Sequence, residues 1–114
     1  MKVERFEDLI AWQKAEQLTL FVYLLLKENR DFNYKKQIER AAVSVMNNIA
    51  EGFERKTNNE FKNFLFIAKG SCGEVRSMLH LGLKLNYIYR QNYEKAYNLT
   101  IEISRILSGL IKSI

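Results

Sequence analysis

Apolar residues return every third or fourth position along most of this chain, and almost nothing in it is built to interrupt them. Phe61, Phe64, Ala68, Cys72, Val75, Leu79 and Leu83 keep to that rhythm, and Ala96, Leu99, Ile103, Ile106, Leu110 and Ile114 repeat it at the far end. At about 100° per residue such spacing gathers side chains on one helical face. No proline and only five glycines occur among the 114 residues, so turns have little to be made from and helices joined by short polar links follow. The chain is expected to be all-α, a single domain folded as an up-and-down four-helix bundle, with helices near residues 7–28, 33–53, 57–86 and 92–113.

The ends of these helices carry recognisable chemistry. Glu7 and Asp8 suit the positive end of the first. Asn33 or Asp31 can cap the second, and Asn92 the fourth. Thr57 with Glu60 three residues on has capping-box spacing at the start of the third. Inside that third helix, Gly70 and Gly73 each cost roughly 1 kcal/mol against alanine, which predicts a neighbouring helix approaching closely there. Residues 18–26 (LTLFVYLLL) are apolar nearly all the way round. A membrane span needs about twenty such residues, and this shorter run is bracketed by Glu16-Gln17 and Lys27-Glu28, so a helix buried on more than one side is expected. In a bundle of four helices, a further buried side implies another chain. Seven Phe, six Tyr and one Trp point the same way, because they exceed what one small core holds and suit a subunit interface.

Residues 40–55 (RAAVSVMNNIAEGFER) sort onto two opposed faces. Ile38, Ala42, Val45, Ile49 and Phe53 cluster on one side, while Arg40, Ser44, Asn47, Asn48, Glu51 and Arg55 fall opposite. Ser and Asn compete for backbone hydrogen bonds and are mediocre helix formers, so the polar stripe Arg40, Ser44, Asn48, Glu51, Arg55 is serving something besides propensity. A packed polar contact between helices, a subunit seam and a ligand surface all fit, beside an ordinary solvated face. The four-residue spacing of Arg40 with Ser44 and of Glu51 with Arg55 favours a structural ladder orienting the second helix, pairing with Glu74 or Arg76. Arginines facing phosphates are the rival, weakened by the carboxylate among them.

With FEDLIAWQKA (residues 6–15) and EFKNFLFIAKGSCGEV (residues 60–75), this stretch resembles the bacterial four-helix-bundle family encoded in intervening sequences of 23S ribosomal RNA genes. The most specific element is Asn48-Ile49-Ala50-Glu51-Gly52, with Arg55 following and Arg40-Ala41-Ala42 and Ser44 ahead. The family commonly has a proline before its second helix, which this chain lacks, and Cys72, Gly73 and Asn86 also depart from its pattern. The resemblance extends to an accessory protein of diversity-generating retroelements. It implies a homo-oligomer, by that analogy a pentamer, with a positively charged surface contacting structured RNA or DNA and a reverse transcriptase.

The formal net charge is +5, unevenly spread: up to Phe32 there are five Lys/Arg against six Asp/Glu, and thirteen against seven beyond it. Lys62, Lys69 and Arg76, spaced by sevens, form one cationic row, joined by Arg55-Lys56 just before that helix and by Lys35-Lys36 elsewhere. Such a row can track a phosphate backbone without reading sequence, although a solvated face is its commoner meaning. Cys72 is alone, which leaves no disulfide framework or metal-ligand set and reads as a buried thiol. The single histidine, His80, is preceded three residues earlier by Ser77 instead of the glutamate a di-metal bundle uses. Phosphate-cradling glycine loops are missing too. No cofactor, catalytic residue or membrane span is expected, and the amino terminus has no signal-peptide segment, which suits a cytoplasmic protein. The leading expectation is a non-enzymatic accessory factor for RNA or DNA; the alternative is a protein-interaction scaffold without a nucleic-acid role.

Overall fold

The sequence's three-four rhythm folds into four helices, which the computed structural model describes over residues 2–114: α1 (Ile10–Leu25), α2 (Phe32–Phe53), α3 (Asn58–Lys84) and α4 (Arg90–Ser113). The entry to α1 differs from expectation. Phe6–Asp8 form a separate 3-10 turn and Leu9 is extended, so Glu7 and Asp8 do not sit on the first turn of α1. Leu9 is buried there, Trp12 meets Phe6 edge-on at 5.3 Å, and Gln13 Nε2 donates to the Glu7 carbonyl at 2.9 Å. Packing of these apolar groups outweighs continuing the helix backward, and α1 likewise stops at Leu25, short of residue 28.

Asp31, not Asn33, caps α2 by accepting from the Tyr34 amide at 3.2 Å. Thr57 caps α3, accepting from the Glu60 amide at 3.1 Å and donating its own hydroxyl to Glu60 Oε1 at 3.0 Å. Glu60 therefore reaches back to the side chain, where a full capping box would use the backbone N–H. Helix α3 closes two residues early. Asn86 takes a left-handed φ of 63°, and the Tyr87 amide donates to the Gly82 carbonyl at 2.8 Å while that of Asn86 reaches Leu83 at 3.1 Å, the double bond pattern of a Schellman end. Helix α4 starts at Arg90 with Tyr89 in the cap position and no side-chain cap bond, so Asn92 lies inside the first turn.

Each helix packs on its neighbours in order, α1 on α2, α2 on α3, α3 on α4 and α4 back on α1, with α1 and α3 diagonal across an up-and-down bundle of 43 × 22 × 19 Å. Leu18, Val22, Ile38, Val45, Ile49, Val75, Leu79, Ile103 and Leu107 are almost completely buried. Leu65 enters this core and Phe64 stands half out of it, a one-residue offset from the expected stripe. Thr100 is buried beside Leu99, its hydroxyl donating to the Tyr97 carbonyl at 2.6 Å, and Thr19 donates to Ala15 at 2.9 Å and Ala42 at 3.1 Å. With a backbone acceptor each, these hydroxyls are buried at little cost.

The close approach expected at Gly70 and Gly73 is not there. A Cβ on Gly70 would meet nothing within 4 Å, and one on Gly73 only Arg76 Nη2 at 3.8 Å. The helices come together at Gly52, where a Cβ would lie 2.6 Å from Phe64 Cβ, and at Gly82, where it would strike the Tyr34 hydroxyl. Residues 18–26 are two-sided: Leu18, Val22 and Leu26 are buried, but Leu20 and Leu24 are 64% and 67% exposed. Among the described residues no helix is long and apolar enough to cross a membrane.

A hydrogen-bonded clasp fastens one end of the bundle. Tyr34 donates to the Met78 carbonyl and Tyr87 to Asp31 Oδ2, both at 2.6 Å, and the two rings meet edge-on at 5.1 Å. The Tyr87 hydroxyl, then the Tyr34 amide, hold the Asp31 carboxyl below its ordinary 3.8; Asp31 in turn raises Tyr87, and burial above all pushes Tyr34 to about 12. A carboxylate with a depressed folded-state pKa stabilises above its unfolded value and loses that contribution as the folded form takes up its proton. Raised tyrosines contribute below their ordinary 10.0 and lose it as pH climbs through the folded value. The parent should therefore be more resistant to urea than Asp31→Asn at neutral pH, with the two converging as pH falls below 3.8. An unchanged gap at low pH would show that the charge of Asp31 is not what holds the clasp.

Candidate nucleic-acid interface

The polar stripe of α2 divides into parts with different partners. Ser44 Oγ lies 2.8 Å from Ser71 Oγ across the α2–α3 seam, and Asn48 Nδ2 donates to the Ser44 carbonyl at 2.8 Å and to its hydroxyl at 3.0 Å. One turn on, Arg55 pairs with Glu51 at 2.7 Å, approaches Glu60 of α3 at 3.7 Å, and lays its guanidinium 4.8 Å over the Phe64 ring. Arg40 is exposed and takes part in none of the ion pairs among the described residues. The expected pairing of this stripe with Glu74 or Arg76 does not occur; Ser71, Glu60 and Phe64 take their place. Ser71 had no signal of its own, since its role depends on the register in which α2 and α3 meet.

Lys62 and Lys69 lie on one line of α3, both half-buried, and neither forms an ion pair among the described residues. Long methylene stems on apolar surface with the ammonium in water are the usual arrangement. Arg76 is different. Its Nη1 is sealed from solvent without a hydrogen-bond partner, and its Nη2 turns back toward Gly73. The row thus offers two free ammonium groups, with exposed Lys56 near its start, and an arginine folded into the protein. Arg55 is committed to Glu51, Glu60 and Phe64, while Lys35 and Lys36 lie on the first turns of α2 at the opposite end.

Cys72 is fully buried and donates to the Thr100 carbonyl at 3.2 Å. Burial pushes its pKa up to about 11 against the opposing charge of Arg76. His80 is exposed and, eight residues along, stands roughly 12 Å away on the helix axis. The two do not form a nucleophile–base pair.

Large apolar side chains also reach solvent: Leu20 and Leu24 on α1, with Phe66, Ile67 and Leu81 on α3 and Leu85 at its carboxyl-terminal cap. Because α1 and α3 are diagonal, these two surfaces look in opposite directions. Beside the first is an open groove of about 350 Å³ lined by Gln17, Leu20, Phe21, Leu24, Lys95 and Leu99, with the Lys95 ammonium 4.9 Å above the Phe21 ring.

No curated protein matches the chain. It is similar to a crystal structure of a protein of unknown function from the S23 ribosomal protein family of Bacteroides thetaiotaomicron VPI-5482, with a TM-score of 0.85 and 30% identity over 90% of this chain and 99% of that one. Residues 7–109 match the family described as 23S rRNA-intervening sequence protein. With this match spanning nearly all of the bundle, the chain belongs to the 23S rRNA-intervening sequence protein family.

Proposed function

We propose that this protein is a non-enzymatic, homo-oligomeric helical bundle that acts as an accessory factor by binding RNA or DNA through a basic surface. The observation that carries the reading is the pair Lys62 and Lys69, two ammonium groups in line on α3 that no carboxylate among the described residues pairs with. Self-association is supported by the apolar surfaces of α1 and α3. Facing opposite ways, they would meet head to tail, a contact that builds rings when the rotation closes. A pentamer is the closure suggested by the resemblance to the retroelement accessory protein, and a reverse transcriptase the partner. The buried thiol of Cys72 and its separation from His80 are consistent with the absence of catalysis. The same apolar surfaces favour a second reading, a protein-interaction scaffold with no nucleic-acid role.

Fluorescence anisotropy over a salt series separates the two, with light scattering on the same samples for mass. Binding should weaken as salt rises, because each phosphate contact releases counterions. Lys56→Gln/Lys62→Gln/Lys69→Gln should flatten the salt slope by about 1 per lysine that touches a phosphate, and leave stability within about 1 kcal/mol. Arg76 is left intact because its Nη1 is already sealed from solvent. A parent that binds nothing even at low salt would favour the scaffold, and a monomeric mass would remove the homo-oligomer.

A further inference from the structure

The heptad line through Lys62, Lys69 and Arg76 ends at Leu83, about 32 Å from its start along the α3 axis. There it meets an open cleft of about 460 Å³ lined by Leu83, Lys84, Asn86, Ile88, Tyr89 and Arg90. Tyr89 is 84% exposed, the most exposed of the large apolar and aromatic side chains among the described residues, and it shares the cleft with two cations, Lys84 and Arg90. Arg90 has one weak partner, Glu94 at 3.9 Å, with both side chains well exposed, and Lys84 has none among the described residues.

The backbone under Tyr89 is fixed. Asn86 in its left-handed turn, Tyr87 bonded to Asp31, and Ile88 buried at 5% exposure hold the residues just before it. With the base so anchored, stacking on the ring has only the side chain to order and not the backbone. Tyr89 also occupies the cap position of α4 without supplying an acceptor, so the first amides of that helix lack intrahelical partners beside the cleft. Amides and cations around an aromatic face suit a ligand that combines a flat ring with negative charge. A nucleotide of a single strand has this chemistry, and its base faces, paired away in a duplex, are free to stack.

We infer that the cleft at the α3–α4 connection is a base-stacking site for single-stranded nucleic acid, in which the Tyr89 ring takes a nucleobase and Lys84 and Arg90 take the flanking phosphates. This rests on the nucleic-acid reading proposed above and adds to it a preference for unpaired strands. Lys62 and Lys69 lie on the same heptad line of α3 as the cleft, about 21 Å of helix separating Lys69 from Leu83.

The test compares parent, Tyr89→Ala, Tyr89→Phe and Lys84→Gln/Arg90→Gln in anisotropy titrations. The probes are labelled oligo-dT, oligo-U and a duplex of matched length, at low and moderate salt. Tyr89→Ala should bind both single strands about tenfold more weakly, within the range one base–aromatic stack supplies, and bind the duplex like the parent. Tyr89→Phe, which keeps the ring, should match the parent. The double charge variant should weaken single-strand binding with a shallower salt slope. Equal loss on oligo-dT and oligo-U supports the site, and loss on one alone supports it for that polymer. Parent-like binding of single strands by Tyr89→Ala overturns the cleft while leaving the lysine-row reading intact; no binding by the parent to any probe overturns both. A changed assembly mass in Tyr89→Ala also overturns it, since the ring would then serve the subunit contact.

Discussion

Replacing Gly52 by alanine should lower stability by about 2–3 kcal/mol, even though alanine is the better helix former by roughly 1 kcal/mol. The added methyl would lie 2.6 Å from Phe64 Cβ, 3.1 Å from Phe61 Cδ1 and 3.3 Å from the Phe61 carbonyl. A Cβ atom cannot swing aside as the end of a long side chain can; it moves only with its backbone. The helices α2 and α3 would have to separate, loosening Ser44 from Ser71 and Arg55 from Phe64. Gly70→Ala is the matching control. With nothing within 4 Å, it should stabilise by about 0.5–1 kcal/mol through helix propensity. Chemical denaturation of the two variants beside the parent checks both signs. Two stabilised proteins would mean that the α2–α3 contact yields without strain.

Gly82→Ala is expected to cost about 2 kcal/mol for a different reason. Its Cβ would collide with the Tyr34 hydroxyl and crowd Ile88 Cδ1 at 2.9 Å. The hydroxyl is the far end of a side chain, but it is held by its 2.6 Å bond to the Met78 carbonyl, so moving it sacrifices a hydrogen bond as well as packing. Tyr34→Phe removes the colliding atom and should by itself cost about 1 kcal/mol. Gly82→Ala should then be milder in the Tyr34→Phe background. A double-mutant cycle in urea reads the difference directly. Strict additivity would show that the collision is relieved elsewhere, for instance by displacing Ile88.

These glycines also mark where sequence reasoning reached its limit. The helices were legible because Ile38, Ala42, Val45 and Ile49, and Ala68, Cys72, Val75 and Leu79, repeat with a period only a helix can bury on one side. Which glycine touches a neighbour was not, because Gly52, Gly70 and Gly82 look alike until the rotation of α3 against α2 is known. The same rotation decides that Leu65 and not Phe64 enters the core. Thr57 could be identified as a cap because its partner is three residues away, whereas Tyr34 finds the Met78 carbonyl across 44 residues and Tyr87 finds Asp31 across 56.

The candidate surface divides in the same manner. Lys62 and Lys69 share a line by helical arithmetic alone. The setting of Arg76 depends on the room left beside Gly73, and that of Tyr89 on the left-handed residue at Asn86. No local pattern carries either.

Three of the four seams in this bundle join helices that follow one another in the chain; only α1 against α4 brings distant segments together. Short links keep re-forming the other three, but this one has no tether of its own beyond its side chains, among them Lys14 with Glu102 at 3.4 Å and Lys95 over Phe21. Partial opening is therefore expected along this seam, which would leave α1 hydrogen-bonded to α2 through Thr19 and uncover Leu18, Ile103 and Leu107. An opened copy carries both halves of the broken seam. Crowded together, two such copies would mend each other by domain swapping, each α1 closing on its partner's α4.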